Sequence, residues 1–122
     1  MGDRNAALGS LCVGDIFHAE SRNGASLICL VVDVTDTTIH ARTVTTQTYL
    51  EFDRGTGVAE WGDDRIPCAV DSVARLPADI HNEMLGIDRK FRLERDRERL
   101  KLTDAEKRAL LFVDSHYSSD RM

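Results

Sequence analysis

The stretch Ser-Leu-Ile-Cys-Leu-Val-Val-Asp-Val at positions 26–34 decides the fold of this chain. It contains an unbroken apolar run from Leu27 to Val32. A strand with one exposed face alternates apolar and polar residues, whereas a strand covered on both faces does not. The run therefore predicts a central strand. One face contributes to a barrel or sandwich core, and the other needs a cover from elsewhere in the chain.

Short strand patterns separated by turn residues surround this central strand. The turn Arg22-Asn23-Gly24 precedes it, and Asn-Gly between apolar segments is a strong hairpin signal. Further strand patterns lie at 13–19, 38–44, 48–52, from 58 onward and at 66–76. Five or six short strands joined by hairpin turns predict a small antiparallel barrel or strongly bent sheet, and we favour an SH3-like barrel.

The character of the chain changes at Pro77, after which charged residues are dense and apolar residues fall at helical spacing. Four apolar residues recur on one helical face: Ile80, Met84, Ile87 and Phe91. This face is the expected cover for the central strand, unless Gly86 breaks the helix. Thr103-Asp104-Ala105-Glu106 has the capping-box pattern and predicts a last helix, through about Tyr117.

These patterns predict an α+β chain in which the strands come first and the helices follow. Residues 1–77 are expected to form a small β-barrel domain. Residues 78–122 are expected to form two or three C-terminal helices that pack on the barrel and on a second subunit.

The net charge of −5 is distributed unevenly along the chain. Residues 1–77 carry 11 acids and 6 bases, whereas residues 78–122 carry 10 of each. An acidic body disfavours nucleic acid and anionic membranes as partners, because phosphate binding needs an excess of Lys and Arg. Residues 88–101 are a local exception, with seven bases against four acids.

The basic segment 88–101 has three interpretations. Acid-to-base pairs at i+3 favour an exposed, solvated helix: Glu94 with Arg97, Asp96 with Arg99, and Glu98 with Lys101. A nucleic-acid-binding arm would need basic excess on one face and aromatic rings for stacking, and acids interrupt this segment. The third interpretation is docking against the acidic barrel of the same or another subunit.

Cysteines and histidines predict neither a metal site nor a catalytic site. Cys12, Cys29 and Cys68 are odd in number and far apart, which favours buried free thiols in a reducing cytoplasm. The closest mixed pair, Cys12 with His18, has no second pair to complete a ligand set. The histidines His18, His40 and His81 are expected at strand surfaces or edges. Cys68 follows a proline and is the best placed of three poor nucleophile candidates.

Other features narrow the class of protein further. No P-loop or dinucleotide fingerprint is present, and Gly55-Thr56-Gly57 is typical of a hairpin turn. No cofactor is expected. The sequence has no apolar leader and no run of 18 apolar residues, so we expect a cytoplasmic protein without a membrane span.

An acidic cluster around the single tryptophan is a candidate patch for a basic ligand, and it consists of Glu60, Trp61, Asp63 and Asp64. Carboxylates beside an aromatic ring can hold a cationic side chain through ionic and cation–π contacts. The structural alternative is a solvated Gly-Asp-Asp turn next to a core tryptophan. We favour the structural alternative.

The functional hypothesis is a non-enzymatic interaction or adaptor module that binds a protein partner or forms a homodimer. Its candidate partner surface consists of Leu93, Arg97, Leu100 and Leu111, because the three leucines lie off the predicted packing face. The alternative is a small-barrel protein that binds nucleic acid through segment 88–101, which rests on analogy between folds.

Overall fold

The computed structural model describes residues 7–61, 66–96 and 98–119. It contains six strands, β1 Ile16–Ser21, β2 Ser26–Val34, β3 Thr38–Thr43, β4 Tyr49–Asp53, β5 Val58–Trp61 and β6 Ile66–Ser72. Two helices follow, α1 Ala78–Leu93 and α2 Asp104–Ser119. The predicted order of strands followed by helices is confirmed.

The six strands form one antiparallel sheet in the order β4-β3-β2-β1-β6-β5, which curls into a nearly closed barrel. The prediction of five or six strands is confirmed with six. Strands β4 and β5 are the two edges of the sheet and approach each other, because a short turn joins them. The central strand β2 pairs with β1 on one side and with β3 on the other.

Two turns depend on residues that the sequence singles out. Gly24 takes a φ of +90° in the hairpin between β1 and β2, a conformation that favours glycine. In the turn after β4, the Asp53 carboxylate accepts hydrogen bonds from the backbone amides of Gly55 at 2.8 Å and Thr56 at 2.9 Å. The prediction of a turn at Gly55-Thr56-Gly57 is therefore confirmed, but the strands that it joins, β4 and β5, share no ladder among the described residues, so it is not a hairpin turn.

An apolar cluster inside the barrel, here called the inner core, is built by alternation along the strands. In β4, Leu50 and Phe52 are buried while Tyr49, Glu51 and Asp53 are exposed. The members of the inner core are Leu8, Leu11, Phe17, Ala19, Leu27, Cys29, Val31, Ile39, Ala41, Leu50, Phe52, Ala59, Cys68 and Val70. The rings of Phe17 and Phe52 meet edge to face with centroids 5.2 Å apart.

A second apolar cluster, here called the outer core, lies between the barrel and the helices. Ile16 of β1 and Leu30 of β2 contribute from the barrel, and Ile28 packs against them. The remaining buried members are Val44, Leu76, Met84, Ile87, Ala109, Val113 and Tyr117. The second face of the central strand is therefore covered by both C-terminal helices, as its unbroken apolar run predicts.

Helix α1 runs through Gly86 without a break and is attached to the barrel by a polar cluster, here called the Asp88 cluster. Arg42 of β3 donates hydrogen bonds to the buried Asp88 carboxylate from Nε at 3.1 Å and from Nη2 at 2.8 Å. Gln47 Nε2 donates to the same carboxylate at 2.9 Å. These bonds position the C-terminal half of α1 on β3 and on the turn that follows it.

The prediction of a helix over segment 88–101 is wrong beyond Leu93. Glu94 has extended backbone angles, and its carboxylate accepts a hydrogen bond from the Asp96 amide at 3.0 Å. The Asp96 carboxylate accepts one from the Glu98 amide, also at 3.0 Å. Such local side-chain bonds compete with helical ones, and pairs at i+3 contribute only a few tenths of a kcal/mol. The predicted Asp96–Arg99 pair does form, at 3.6 Å, but outside a helix.

The predicted capping box begins α2 and also joins it to α1. Thr103 Oγ1 accepts a hydrogen bond from the Glu106 amide at 3.1 Å, and Glu106 Oε1 accepts one from the Thr103 amide at 2.7 Å. Lys90 of α1 donates to the same Glu106 oxygen at 2.5 Å. A side-chain Cβ on Gly86 would lie 3.3 Å from Glu106 Oε2, so glycine permits this close approach of the helices.

Candidate functional site

The basic groove is a depression of about 390 Å³ between the end of α1 and the connection to α2. Its apolar surface comes from Leu93, which is 73% exposed, and from the half-buried Leu100. The other lining residues are Arg89, Lys90, Glu94, Arg99 and Lys101. Four bases and one acid therefore surround two leucines.

Two of the four bases of the groove are engaged by acids of the same chain. Lys90 pairs with Glu106 at 2.5 Å and also donates to the Lys101 carbonyl at 3.0 Å. Arg99 pairs with Asp96 at 3.6 Å. Burial alone would raise the pKa of Glu106, but hydrogen bonds from Lys90 and the Thr103 amide outweigh it and lower the pKa. Lys90, one of the basic residues that line the groove, is thus held in an ionised pair with Glu106.

The structure divides the predicted partner surface. It brings Leu93 and Leu100 together in the basic groove. Leu111 is 72% exposed but belongs to α2 and is not among the groove's lining residues. Arg97 lies outside the described residues.

The acidic seam is a groove of about 910 Å³ along the line where the barrel does not close. Its walls come from β4 and β5, and no ladder among the described strands pairs these two with each other. The exposed side chains along it are Tyr49, Glu51, Asp53, Thr56, Val58 and Glu60. Three of these six are acids.

The predicted basic-ligand patch overlaps one end of the acidic seam. Glu60 is exposed on β5 and lines the seam. Trp61 is the last residue of β5, and its side chain is outside the described part of the structure. Asp63 and Asp64 also lie outside the described residues. Glu51 and Asp53 of β4 add two further acids to the acidic seam.

A polar row crosses the outer face of β6, β1 and β2. His18 is buried, although histidines were expected at strand surfaces or edges. Its Nδ1 contacts the Asp71 carboxylate, its Nε2 contacts the Ser26 hydroxyl, and its ring stacks on Tyr117 with centroids 5.2 Å apart. The Tyr117 hydroxyl in turn donates to the Ile16 carbonyl at 3.2 Å.

The row Asp71–His18–Ser26 has the connectivity of a hydrolytic relay, in which a carboxylate orients a histidine that activates a hydroxyl. Hydrolysis also needs a substrate cavity and donors for the developing oxyanion. Neither the basic groove nor the acidic seam includes these residues. The contacts of the row satisfy the polar atoms of a histidine buried beneath α2.

Comparison of the chain with protein-family models, curated proteins and solved structures found no match.

Two of the three thiols are buried in the inner core. Cys29 and Cys68 are buried, and burial raises the pKa of each, so both are poor nucleophiles. The suggestion that Cys68 is the best placed thiol for reaction is therefore wrong, because it points into the inner core. Cys12 is exposed, which corrects the expectation that all three are buried.

Within residues 7–61, 66–96 and 98–119, no three His, Cys, Asp or Glu side chains come together as a metal site would require. In the same part of the chain, no helix combines the length and apolarity that crossing a membrane demands.

Proposed function

We propose that this chain is a non-enzymatic interaction module that binds a partner protein through the basic groove. The observation that carries the proposal is the pair Leu93 and Leu100 within a ring of bases. A leucine that is 73% exposed beside a second, half-buried leucine offers apolar surface that a partner can cover.

The charge of the groove selects the kind of partner. Arg89 and Lys101 are exposed, and they add positive charge to a site that also presents two leucines. Complementary charge steers association and suppresses wrong partners. The occupant we propose is a segment of another protein that carries an apolar side chain flanked by carboxylates.

The volume of the groove limits the size of that segment. About 390 Å³ is near the lower end of the range for small-molecule pockets, roughly 300–1,000 Å³. It accommodates a few side chains of a peptide rather than a second folded domain. A short linear motif is therefore a better fit than a broad interface.

Nucleic acid is the alternative for the same segment. Of the four bases of the groove, Lys90 and Arg99 are already paired with Glu106 and Asp96, which leaves two for a ligand that carries a negative charge at every nucleotide. The groove also presents leucines where single-stranded nucleic acid stacks on aromatic rings. Both features favour a protein partner.

The test uses fluorescence anisotropy with a labelled probe peptide, Glu-Asp-Leu-Leu-Asp-Glu, and the full chain. We expect binding that weakens about tenfold or more when both probe leucines are alanine, because apolar burial is lost. Leu93→Glu should weaken binding by a similar factor. Leu111→Glu is the matched control, because Leu111 is equally exposed but lies outside the groove.

Three results would count against the proposal. Equal loss in Leu93→Glu and Leu111→Glu would show that the groove is not the site. Tighter binding of a labelled single-stranded oligonucleotide, weakening steeply with salt, would favour nucleic acid. If sedimentation detects a dimer and Leu93→Glu dissociates it, the occupant of the groove is a second copy of this chain.

We also propose a cytoplasmic location. All three cysteines are free, which suits a reducing compartment. The SH3-like description of the barrel stays a prediction.

A further inference from the structure

We propose that the exposed face of α2 binds a second copy of this chain, with the two α2 helices antiparallel across a two-fold axis at Leu111. This surface, here called the α2 face, consists of Lys107, Arg108, Leu111, Phe112 and Asp114, which are all exposed. It lies outside the basic groove, so the proposal does not depend on the function proposed for that groove.

Leu111 lies at the centre of the side of α2 that faces away from the barrel. Helix α2 runs over Asp104–Ser119, which places Leu111 near its midpoint. The buried residues Ala109 and Val113 lie two positions before and after it, about 200° round the helix, and face the outer core. Leu111 is 72% exposed, and Phe112 beside it is 40% exposed. Because single exposed leucines are common, the occupant is identified by the charges around Leu111.

The charges around Leu111 are arranged so that the α2 face complements itself. Lys107 precedes Leu111 by four positions, and Asp114 follows it by three. At about 100° per residue, both lie on the same side of Leu111, about 40° and 60° round the helix. A two-fold axis at Leu111 reverses the direction of the second helix but keeps this side facing its copy. Lys107 of each copy therefore lies beside Asp114 of the other, which gives two ion pairs.

The other side of Leu111 carries Arg108 and Phe112. The same axis places Arg108 of one copy near the Phe112 ring of the other, where a guanidinium can contact an aromatic face. In a parallel pair of helices, Lys107 would instead lie beside Arg108 of the second copy, which is also a base. Across residues 7–61, 66–96 and 98–119, the side chains of Lys107, Arg108 and Asp114 form no ion pair within the chain. These charges are therefore available to a second copy, and they select the antiparallel arrangement.

The size of the α2 face indicates a weak dimer. A helix of 16 residues is about 24 Å long. Contact along one such helix covers less area than the roughly 1,200–2,000 Å² of a standard stable interface. We therefore expect a reversible dimer with a dissociation constant of about 10–100 μM.

The experiment is sedimentation equilibrium of the full chain and of two charge-reversal variants, Lys107→Asp and Asp114→Lys. Each variant alone places like charges at both contacts between positions 107 and 114, so its dimer should weaken about tenfold or more. In an equimolar mixture of the two variants, both contacts join opposite charges. The mixture should therefore dimerise within about threefold of the wild-type affinity, a rescue that requires this antiparallel register.

A pair of leucine variants locates the contact on the protein. Leu111→Glu should weaken the dimer about tenfold or more, since it places two carboxylates at the two-fold axis and removes apolar surface. Leu93→Glu is the matched control, because Leu93 is 73% exposed but lies in the basic groove, and its dimer should persist within about twofold. Circular dichroism of all four variants checks that they are folded.

Three outcomes overturn the proposal. The first is a wild-type chain that stays monomeric at about 1 mM. The second is a mixture of Lys107→Asp and Asp114→Lys that associates no better than either variant alone. The third is an equal effect of Leu111→Glu and Leu93→Glu on the dimer.

Discussion

The inner core and the outer core are built differently, although β2 contributes to both. The ladders between strands set the spacing of the walls of the inner core. The outer core lies between a sheet and two helices that no backbone ladder joins. Side-chain hydrogen bonds border it instead, from Arg42 to Asp88 and from Tyr117 to the Ile16 carbonyl. Directional contacts thus appear where the backbone does not set the position of an element.

The substitution with the largest expected effect on stability tests the packing of the inner core. Phe52→Ala should lower the free energy of unfolding by about 3–5 kcal/mol, because it leaves a cavity beside Phe17 in the packed interior of the barrel. Urea denaturation measures the change. Tyr49→Ala, on the exposed face of the same strand, should cost about 0.5 kcal/mol or less. Similar losses in the two variants would show that the inner core is not well packed.

The next effect tests the polar border of the outer core. Asp88→Asn should lower the free energy of unfolding by about 2–3 kcal/mol at neutral pH, because Arg42 and Gln47 lose a charged acceptor. Hydrogen exchange should quicken in both helices and also in β1 and β2, whose outer faces share that core. Loss confined to α1 would show that the helices unfold independently of the barrel.

The contribution of the Asp88 carboxylate to stability should depend on pH in the acidic range. Burial raises the pKa of Asp88, but hydrogen bonds from Arg42 and Gln47 and the charges of Arg42 and Arg92 outweigh it, so the pKa falls below its ordinary 3.8. A group whose pKa is lower in the folded state than in the unfolded state stabilises the fold at pH values above its unfolded-state pKa. That stabilisation disappears as the pH falls through the folded-state pKa. The stability gap between wild type and Asp88→Asn should therefore be constant near neutrality and shrink below about pH 4. A gap that widens on acidification would contradict this.

A smaller effect tests the start of α2. Thr103→Ala should lower the free energy of unfolding by about 1 kcal/mol, because the Glu106 amide loses its acceptor. Thr103→Ser keeps a hydroxyl at the same position and should remain close to wild type. Thermal and urea denaturation compare the three proteins, and equal loss in both variants would indicate that the methyl group, not the cap, matters.

The smallest effect tests the contact between the helices. Gly86→Ala gains about 1 kcal/mol of helix propensity, but the added carbon would crowd Glu106, whose carboxylate is held by Lys90 and Thr103. We expect a net change within about 0.5 kcal/mol. In a Glu106→Ala background the same substitution should stabilise by about 0.5–1 kcal/mol. Equal effects in both backgrounds would mean that the contact is unimportant.

Sequence reasoning succeeded where the physical signal is local or periodic. The apolar run at positions 26–34 predicted β2 with its observed bounds. Asn23-Gly24 predicted the first hairpin, and Thr103 with Glu106 predicted the start of α2. Each depends on side-chain alternation, on positive φ or on a bond between residues three apart. The predicted extension of α1 into the charged segment is wrong, because weak ion pairs do not outweigh the hydrogen bonds that the Glu94 and Asp96 carboxylates accept from nearby backbone amides.

The candidate sites were only partly predictable. Exposure of Leu93 follows from its place off the apolar face of α1, but its meeting with Leu100 depends on the path of a non-helical connection. Hairpin pairing could have placed His18 and Ser26 on one face, since Glu20 lies opposite Ser26 and strand faces alternate. Nothing in the sequence indicates that Asp71 completes the row, because β6 reaches β1 from more than fifty residues away.

The sequence by itself determined that strands precede helices, that β2 is covered on both faces and that bases concentrate near the end of α1. Those properties follow from composition, alternation and short-range bonds. Only the tertiary structure decided which buried acid meets which base, where the barrel stays open and which leucines share a groove. Such contacts join residues far apart in the chain, and the backbone path that brings them together depends on the packing of all the elements.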